Sequence, residues 1–300
     1  MNALLGKIIV WRSRARAGLI GRLLLVIAIS VFVAGALVAW GTLDLNARSV
    51  NWWLLFAVGS IGASASQLLN AAEYRAIAVG LGVPAGWRTS FLVTVAGSAA
   101  NQLPLPGSFL VRTVSLTSNG VPATRAGAMS VVVAVFFLAA AFLGAGVAAI
   151  SEGLLIVAGV SAAIAGSCLA GGAVLAVRFC SSTRSSLNRL ASVEVGLVVV
   201  AALRAWGFAI ALDLPGSILQ FVGLSAGAAL STTVGVLPAG LGLTELLSGG
   251  VAALIGLGAS VGLMIAVVDR LFRMAFLAVA SMVLAVSRGR GRTEDTGLSR

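Results

Sequence analysis

Apolar residues arrive in long runs, and polar residues gather at the ends of those runs. Apolar stretches cover roughly residues 19–41, 52–72, 125–150, 153–177, 193–212 and 258–286, each near the ~20 residues an α-helix needs to cross a ~30 Å hydrocarbon core. They predict six membrane spans. The first run follows Lys7, Arg12, Arg14 and Arg16 and has Arg22 in its first turn, like the start of a secretory signal. A signal's apolar core is only about 7–15 residues long and ends in a small-residue cleavage site. The run here is longer and reaches Trp40, which predicts an uncleaved first helix.

Residues 88–120 and 216–257 break this pattern. The first is interrupted by Leu103-Pro104-Leu105-Pro106-Gly107, the second by Leu237-Pro238-Ala239-Gly240-Leu241-Gly242. Proline removes a backbone donor and glycine weakens a helix, so a break at membrane depth must face protein or water, not lipid. Each region predicts a Pro/Gly-broken hairpin. Arms of about 16 residues in the first reach about 24 Å, past the middle of the core. A re-entrant hairpin therefore fits 88–120 better than two full spans. The arms of 216–257 are longer, which leaves both re-entry and full crossing open.

Composition narrows the class. The 300 residues are 59% hydrophobic and 10% charged, with a mean hydropathy of +1.08, against roughly 25% charged in soluble proteins. This excludes a soluble globule and predicts an all-α polytopic membrane protein. Its organisation is a basic cytoplasmic N-terminus over 1–18, one transmembrane domain over 19–286 and a cytoplasmic tail over 287–300. With no histidine present, histidine triads, histidine-ligated metals and histidine relays are excluded. Cys168 and Cys180 have neither redox nor zinc spacing; Cys168 lies in an apolar run and is expected as a small buried hydrophobe. No cofactor or metal is predicted. The net charge of +11 sits at the ends of apolar runs, not in an aromatic-interleaved patch, so it points to membrane topology and away from nucleic acid.

Lysine and arginine bias a connection toward the cytoplasm. With both termini inside, fifteen basic residues from Lys7 to Arg300 fall on the cytoplasmic side and only Arg48 outside. Trp40, Trp52 and Trp53 then form an outer aromatic belt, with Trp11 and Trp87 near the inner face. This order is span, span, hairpin, span, and the second half repeats it from the opposite side. Residues 19–150 and 153–286 are thus compatible with an inverted 3+3 repeat, which would bring the two broken tips toward the midplane as in transporters.

Six ionisable residues fall inside the apolar layer: Arg112, Arg204, Glu245, Asp269, Arg270 and Arg273. A central Arg or Asp costs about 2.5–3.5 kcal/mol, so each requires a cavity, a partner or a ligand. Arg112 and Arg270 are candidates for holding an anionic headgroup, with Glu245 orienting one of them; ion pairing inside the bundle is the alternative. Asp269 and Arg273 lie four apart on one helix face and are expected to neutralise each other. Arg204, beside Trp206, is expected to snorkel outward. Backbone N–H groups at Gly107, Gly240 and Gly242 could hold a phosphate oxygen, although close helix packing explains such glycines equally well. Gly97, Ser98, Ala99 and Ala100 suit close helix approach. Asn101 and Gln102 either line a polar cavity or hydrogen-bond the broken backbone near Pro104; Ser231, Thr232 and Thr233 suit cavity lining near Pro238.

At these residues the chain resembles a family. Asn101-Gln102-Leu103-Pro104 through Gly107 and Arg112, then Pro238-Ala239-Gly240-Leu241-Gly242 before Glu245, and a late Arg270, are similar to the transmembrane, flippase-type region of lysylphosphatidylglycerol synthases and their stand-alone relatives. The family's usual Pro-Gly-Gly-Leu-Gly is altered here at Ala239. No soluble aminoacyl-transfer domain is expected after the membrane region, so lipid modification is not implied. The resemblance implies movement of an anionic or amphipathic phospho- or glycolipid between leaflets of the bacterial inner membrane, without an enzymatic step. Partners would be the lipid, with a membrane enzyme or a second copy compatible. The alternative is a non-catalytic membrane partner of a glycosyltransferase or lipid synthase. No Walker A motif is present, which leaves downhill or ion-coupled movement, with Glu245 or Asp269 as proton carriers.

Overall fold

A computed structural model describes residues 30, 33–34, 36–43, 49–101, 107–180, 184–234 and 242–295. Within these the chain is all-α, as expected for a polytopic membrane protein. Helices run over Trp52–Gly80 (α1), Trp87–Ala100 (α2), Gly107–Ser118 (α3), Ala123–Ser151 (α4), Leu155–Cys180 (α5), Arg184–Ala211 (α6), Ile218–Val234 (α7), Leu243–Leu254 (α8) and Ala259–Asp295 (α9). Residues 36–42 are also helical, and the rest of the predicted first span lies mostly outside the described residues. Among the described residues α1, α4, α5 and α6 are long and apolar enough to cross a membrane. α9 has the length, but Asp269, Arg270 and Arg273 interrupt its apolar character. The helix also continues through Asp295, into the expected tail.

Local signals set the ends. The Asn51 side chain accepts from Leu54 N at 3.1 Å and starts α1, satisfying one of the donors that a helix start leaves free. α4 stops in a Schellman turn: Leu154 N donates to Ala149 O at 2.8 Å across Gly153, whose φ of 73° suits glycine. α6 ends the same way, with Asp213 in the left-handed region instead of glycine.

The broken regions resolve into short helix pairs. α2 and α3, of 14 and 12 residues, measure about 21 and 18 Å at 1.5 Å per residue. α7 and α8, of 17 and 12 residues, measure about 25 and 18 Å. The expectation of long arms in the second hairpin therefore holds only for α7; Gly242 starts α8 late, and none of the four arms matches a ~30 Å core.

α4 is the central helix. Its buried positions, among them Met129, Val132, Phe136, Ala141, Ala145 and Ala149, surround the axis, and α3, α5, α6 and α7 pack on it. α5 turns Leu155, Ile156, Val160, Val174 and Val177 outward, as a lipid-facing helix should. α1 and α6 run antiparallel, with Val58 against Gly207, Arg204 against Gly62, Leu69 against Gly196 and Gly80 near Ser186. Two apolar clusters occupy opposite ends of this pair: one includes Leu55, Phe208 and Leu212, the other Tyr74, Ile77 and Leu190. Between them α1 is polar.

Candidate functional site

That polar middle contains the buried charges, because the bilayer offers them no water and each must find a partner in a neighbouring helix. They form two clusters. The first joins α6, α8 and α9. Glu245, in the first turn of α8, faces Arg270 of α9 at 2.7 Å from Oε1 to Nε, with Nη2 donating to Oε2 at 3.5 Å. Both side chains are buried. One position earlier on α9, Asp269 pairs through Oδ1 with Arg204 of α6. Its Oδ2 lies 2.9 Å from Nε of Arg273, one turn along the same helix.

Arg204 passes over Gly62, where a Cβ would meet its Cδ at 2.6 Å, and donates to Ser66 Oγ at 3.1 Å. It is buried and inward-facing, not snorkelled to the interface as expected. Its partner on a helix distant in sequence is the reason. Three guanidiniums thus share two carboxylates, and Asp269 serves two of them.

The second cluster lies between α1, α3 and α6. Arg112 donates to both oxygens of Glu73, through Nη1 to Oε1 and through Nη2 to Oε2 at 3.3 Å. Glu194 of α6 is 1% exposed and senses the charges of both. Neither of its carboxylate oxygens has a hydrogen-bond partner among the described residues, and neither does Arg112 Nε. Here the guanidinium is paired with Glu73, and Glu194 has no ion pair among the described residues. Ten residues of α6, about 15 Å of helix rise, separate Glu194 from Arg204. The interval is bridged on α1 by Ser66, Gln67 and Asn70: Asn70 Nδ2 donates to Ser66 O at 2.7 Å, and Gln67 and α2's Ser98 lie within 3.3 Å.

Arg112 and Arg270 therefore do not form a joint cationic pair; each has its own carboxylate. Glu73 and Glu194 were missed from sequence. Glu73 falls one residue beyond the apolar run at 52–72, yet no Gly or Pro interrupts 73–79, and that continuity was the signal that α1 extends to Gly80. Glu194 sits at the start of the run at 193–212, whereas α6 begins at Arg184 and carries it inward.

At the hairpins, Gln102, Pro104, Pro238 and Gly240 lie outside the described residues. Asn101 bonds the broken backbone: its Oδ1 accepts from Ser108 N at 2.6 Å. Gly107 presses on the carbonyl of Ala100, where any Cβ would collide. Gly97 likewise meets Ser108 Cα at 3.2 Å from a Cβ position. Gly242, with φ of 79°, is the residue before α8. Ser231 is buried, donates to Ala228 O at 2.7 Å and accepts from Thr244 at 2.9 Å; the side chains of Thr232 and Thr233 lie outside the described set. Cys168 is half-buried, not buried as expected, because α5 is peripheral.

A family model described as the lysylphosphatidylglycerol synthase TM region matches residues 19–281. The chain belongs to this family. The match takes in all the described helices but the end of α9, and both charge clusters. No curated relative matches the chain. Membership makes this a multi-pass membrane protein of a lipid-related family.

Proposed function

We propose that the protein moves an anionic or amphipathic lipid between leaflets of the bacterial inner membrane, with both termini cytoplasmic and no catalytic step. The observation that carries this reading is the shared carboxylate Asp269: two arginines on different helices draw on one acid beside a third arginine. A phosphate arriving there supplies the missing negative charge and accepts from guanidiniums of which Arg204 and Arg270 are already dehydrated. Arg112, held by Glu73 next to a second carboxylate, is a poorer receiver, so the phosphate role assigned to it from sequence passes to Arg204, Arg270 and Arg273. Short arms that stop within the core leave an entry for the headgroup while acyl chains stay in lipid.

The helix packing supports two inverted halves. α1 packs on α2 as α6 packs on α7, α3 on α4 as α8 on α9, and α4 on α7 as α9 on α2. The offset that carries Pro104 onto Pro238 also carries Ser66 onto Val200. The antiparallel register of α1 and α6 places those two residues opposite each other. A two-fold axis in the membrane plane would pass there, as in transporters with inverted repeats.

Reconstitution with headgroup-labelled lipids tests the reading. The wild type is expected to exchange label between leaflets faster than empty vesicles. Arg270→Ala is expected to slow exchange about a hundredfold, the equivalent of a ~2.5–3.5 kcal/mol midplane charge at 1.4 kcal/mol per tenfold. Exchange equal to that of empty vesicles ends the proposal and favours a non-catalytic partner of a membrane enzyme.

A further inference from the structure

We propose that Glu194 is a proton-binding site, and that the proton it holds beside the Glu73–Arg112 pair is the coupling ion of the transport cycle. The site is inferred from the second charge cluster alone; only its coupling role rests on the lipid-moving reading.

Glu194 shares its helix face with Leu190, Leu197 and Val198, all buried. A carboxylate in that setting needs donors, and neither oxygen has one among the described residues. The groups around it are few. α1 contributes Glu73, whose like charge opposes a second anion; the neighbouring Tyr74 is engaged with Ser115 at 2.8 Å. α3 contributes Arg112, which already serves Glu73 through both terminal nitrogens.

The other charges lie elsewhere. Arg75 on α1, Arg125 on α4, Arg178 on α5 and Arg189 on α6 itself are exposed. Arg204 of α6 and Asp269, Arg270 and Arg273 of α9 belong to the other cluster, and α7 carries no charged residue. Two carboxylates against one guanidinium leave a net negative charge, which a low-dielectric site penalises heavily. A proton taken from water turns the Glu194 carboxylate into a neutral acid and removes that charge. A divalent metal is a poorer fit, since among the described residues no three acidic or thiol groups converge.

The pair also explains what proton release does. Arg112 Nε is buried with no hydrogen-bond partner among the described residues, and so are both Glu194 oxygens. When the proton leaves to water, the Glu194 carboxylate competes with Glu73 for one guanidinium. α6 is then drawn toward α3, and the proton is linked to helix position.

Infrared difference spectroscopy of the full chain in lipid nanodiscs, titrated across neutral pH, reads the site directly. A protonated-carboxyl C=O band is expected in the wild type and absent in Glu194→Gln, and it should not respond to sodium at fixed pH. Glu194→Gln mimics the neutral acid and should melt at the wild-type temperature or higher at neutral pH. A missing band, a band that survives Glu194→Gln, a sodium-dependent band or a lower melting temperature overturns the proton site. With the band assigned, lipid exchange should respond to an imposed pH gradient in the wild type and not in Glu194→Gln. An exchange rate indifferent to the gradient overturns the coupling role, whereas absence of exchange altogether overturns the lipid-moving reading and leaves the proton site standing.

Discussion

Arg204 of α6 and Asp269 of α9 form an ion pair in which the arginine is buried and the acid nearly so, with side-chain exposures of 6% and 17%. The pair ties together two helices of the second half that are far apart in sequence. Phe208, one turn beyond Arg204, stacks on Phe272 at 5.6 Å and reinforces the same contact. Asp269→Asn leaves Arg204 with Ser66 as its remaining partner. Removing one member of a buried pair costs about 3–5 kcal/mol because the other charge stays dehydrated, so thermal melting in nanodiscs should fall sharply. Arg204→Gln added to Asp269→Asn should restore part of the loss. Arg273→Gln, at an arginine 38% exposed, should cost less than about 1 kcal/mol, as exposed pairs do. Equal losses for Asp269→Asn and Arg273→Gln would contradict this assignment.

The first hairpin depends on contact between the end of α2 and the start of α3. Gly107→Ala places a methyl against the Ala100 carbonyl and should destabilise by about 1–3 kcal/mol, the range for overpacking. Asn101→Ala removes the acceptor for Ser108 N and should cost about 1 kcal/mol, as losing a helix-start acceptor does. The check is chemical unfolding of each variant against the wild type. If both behave as wild type, the arms are not packed as described.

Sidedness can be read by labelling. In a background of Cys168→Ser and Cys180→Ser, which removes both native thiols, Ser151→Cys ends α4 just before the turn to α5 and Asn119→Cys sits between α3 and α4, both exposed. An impermeant maleimide should label Ser151→Cys in intact cells and Asn119→Cys only after permeabilisation. The reverse result would invert the topology.

Most of the helices were legible before any fold was known. The expense of apolar-to-polar contact in a bilayer is local, so the runs at 125–150 and 153–177 match α4 and α5 to within a few residues. The Pro/Gly interruptions also located both breaks, because those residues disrupt a helix wherever it lies. The ends of α1 and α6 were less legible: a charged residue closes an apolar run on paper, but a helix continues through it when a partner is supplied from elsewhere. That is how Glu73 and Glu194 escaped notice.

The sequence by itself determined that this chain lives in a membrane, where its helices break, and that several charges must be buried. Only the tertiary structure decided which charge meets which. Hydropathy depends on each residue and its neighbours in the chain, whereas an ion pair depends on which helices are brought side by side. Thus Asp269 shares itself between Arg273, one turn away, and Arg204 on another helix; Arg112 goes to Glu73; and Glu194 is left beside them without a hydrogen-bond donor among the described residues.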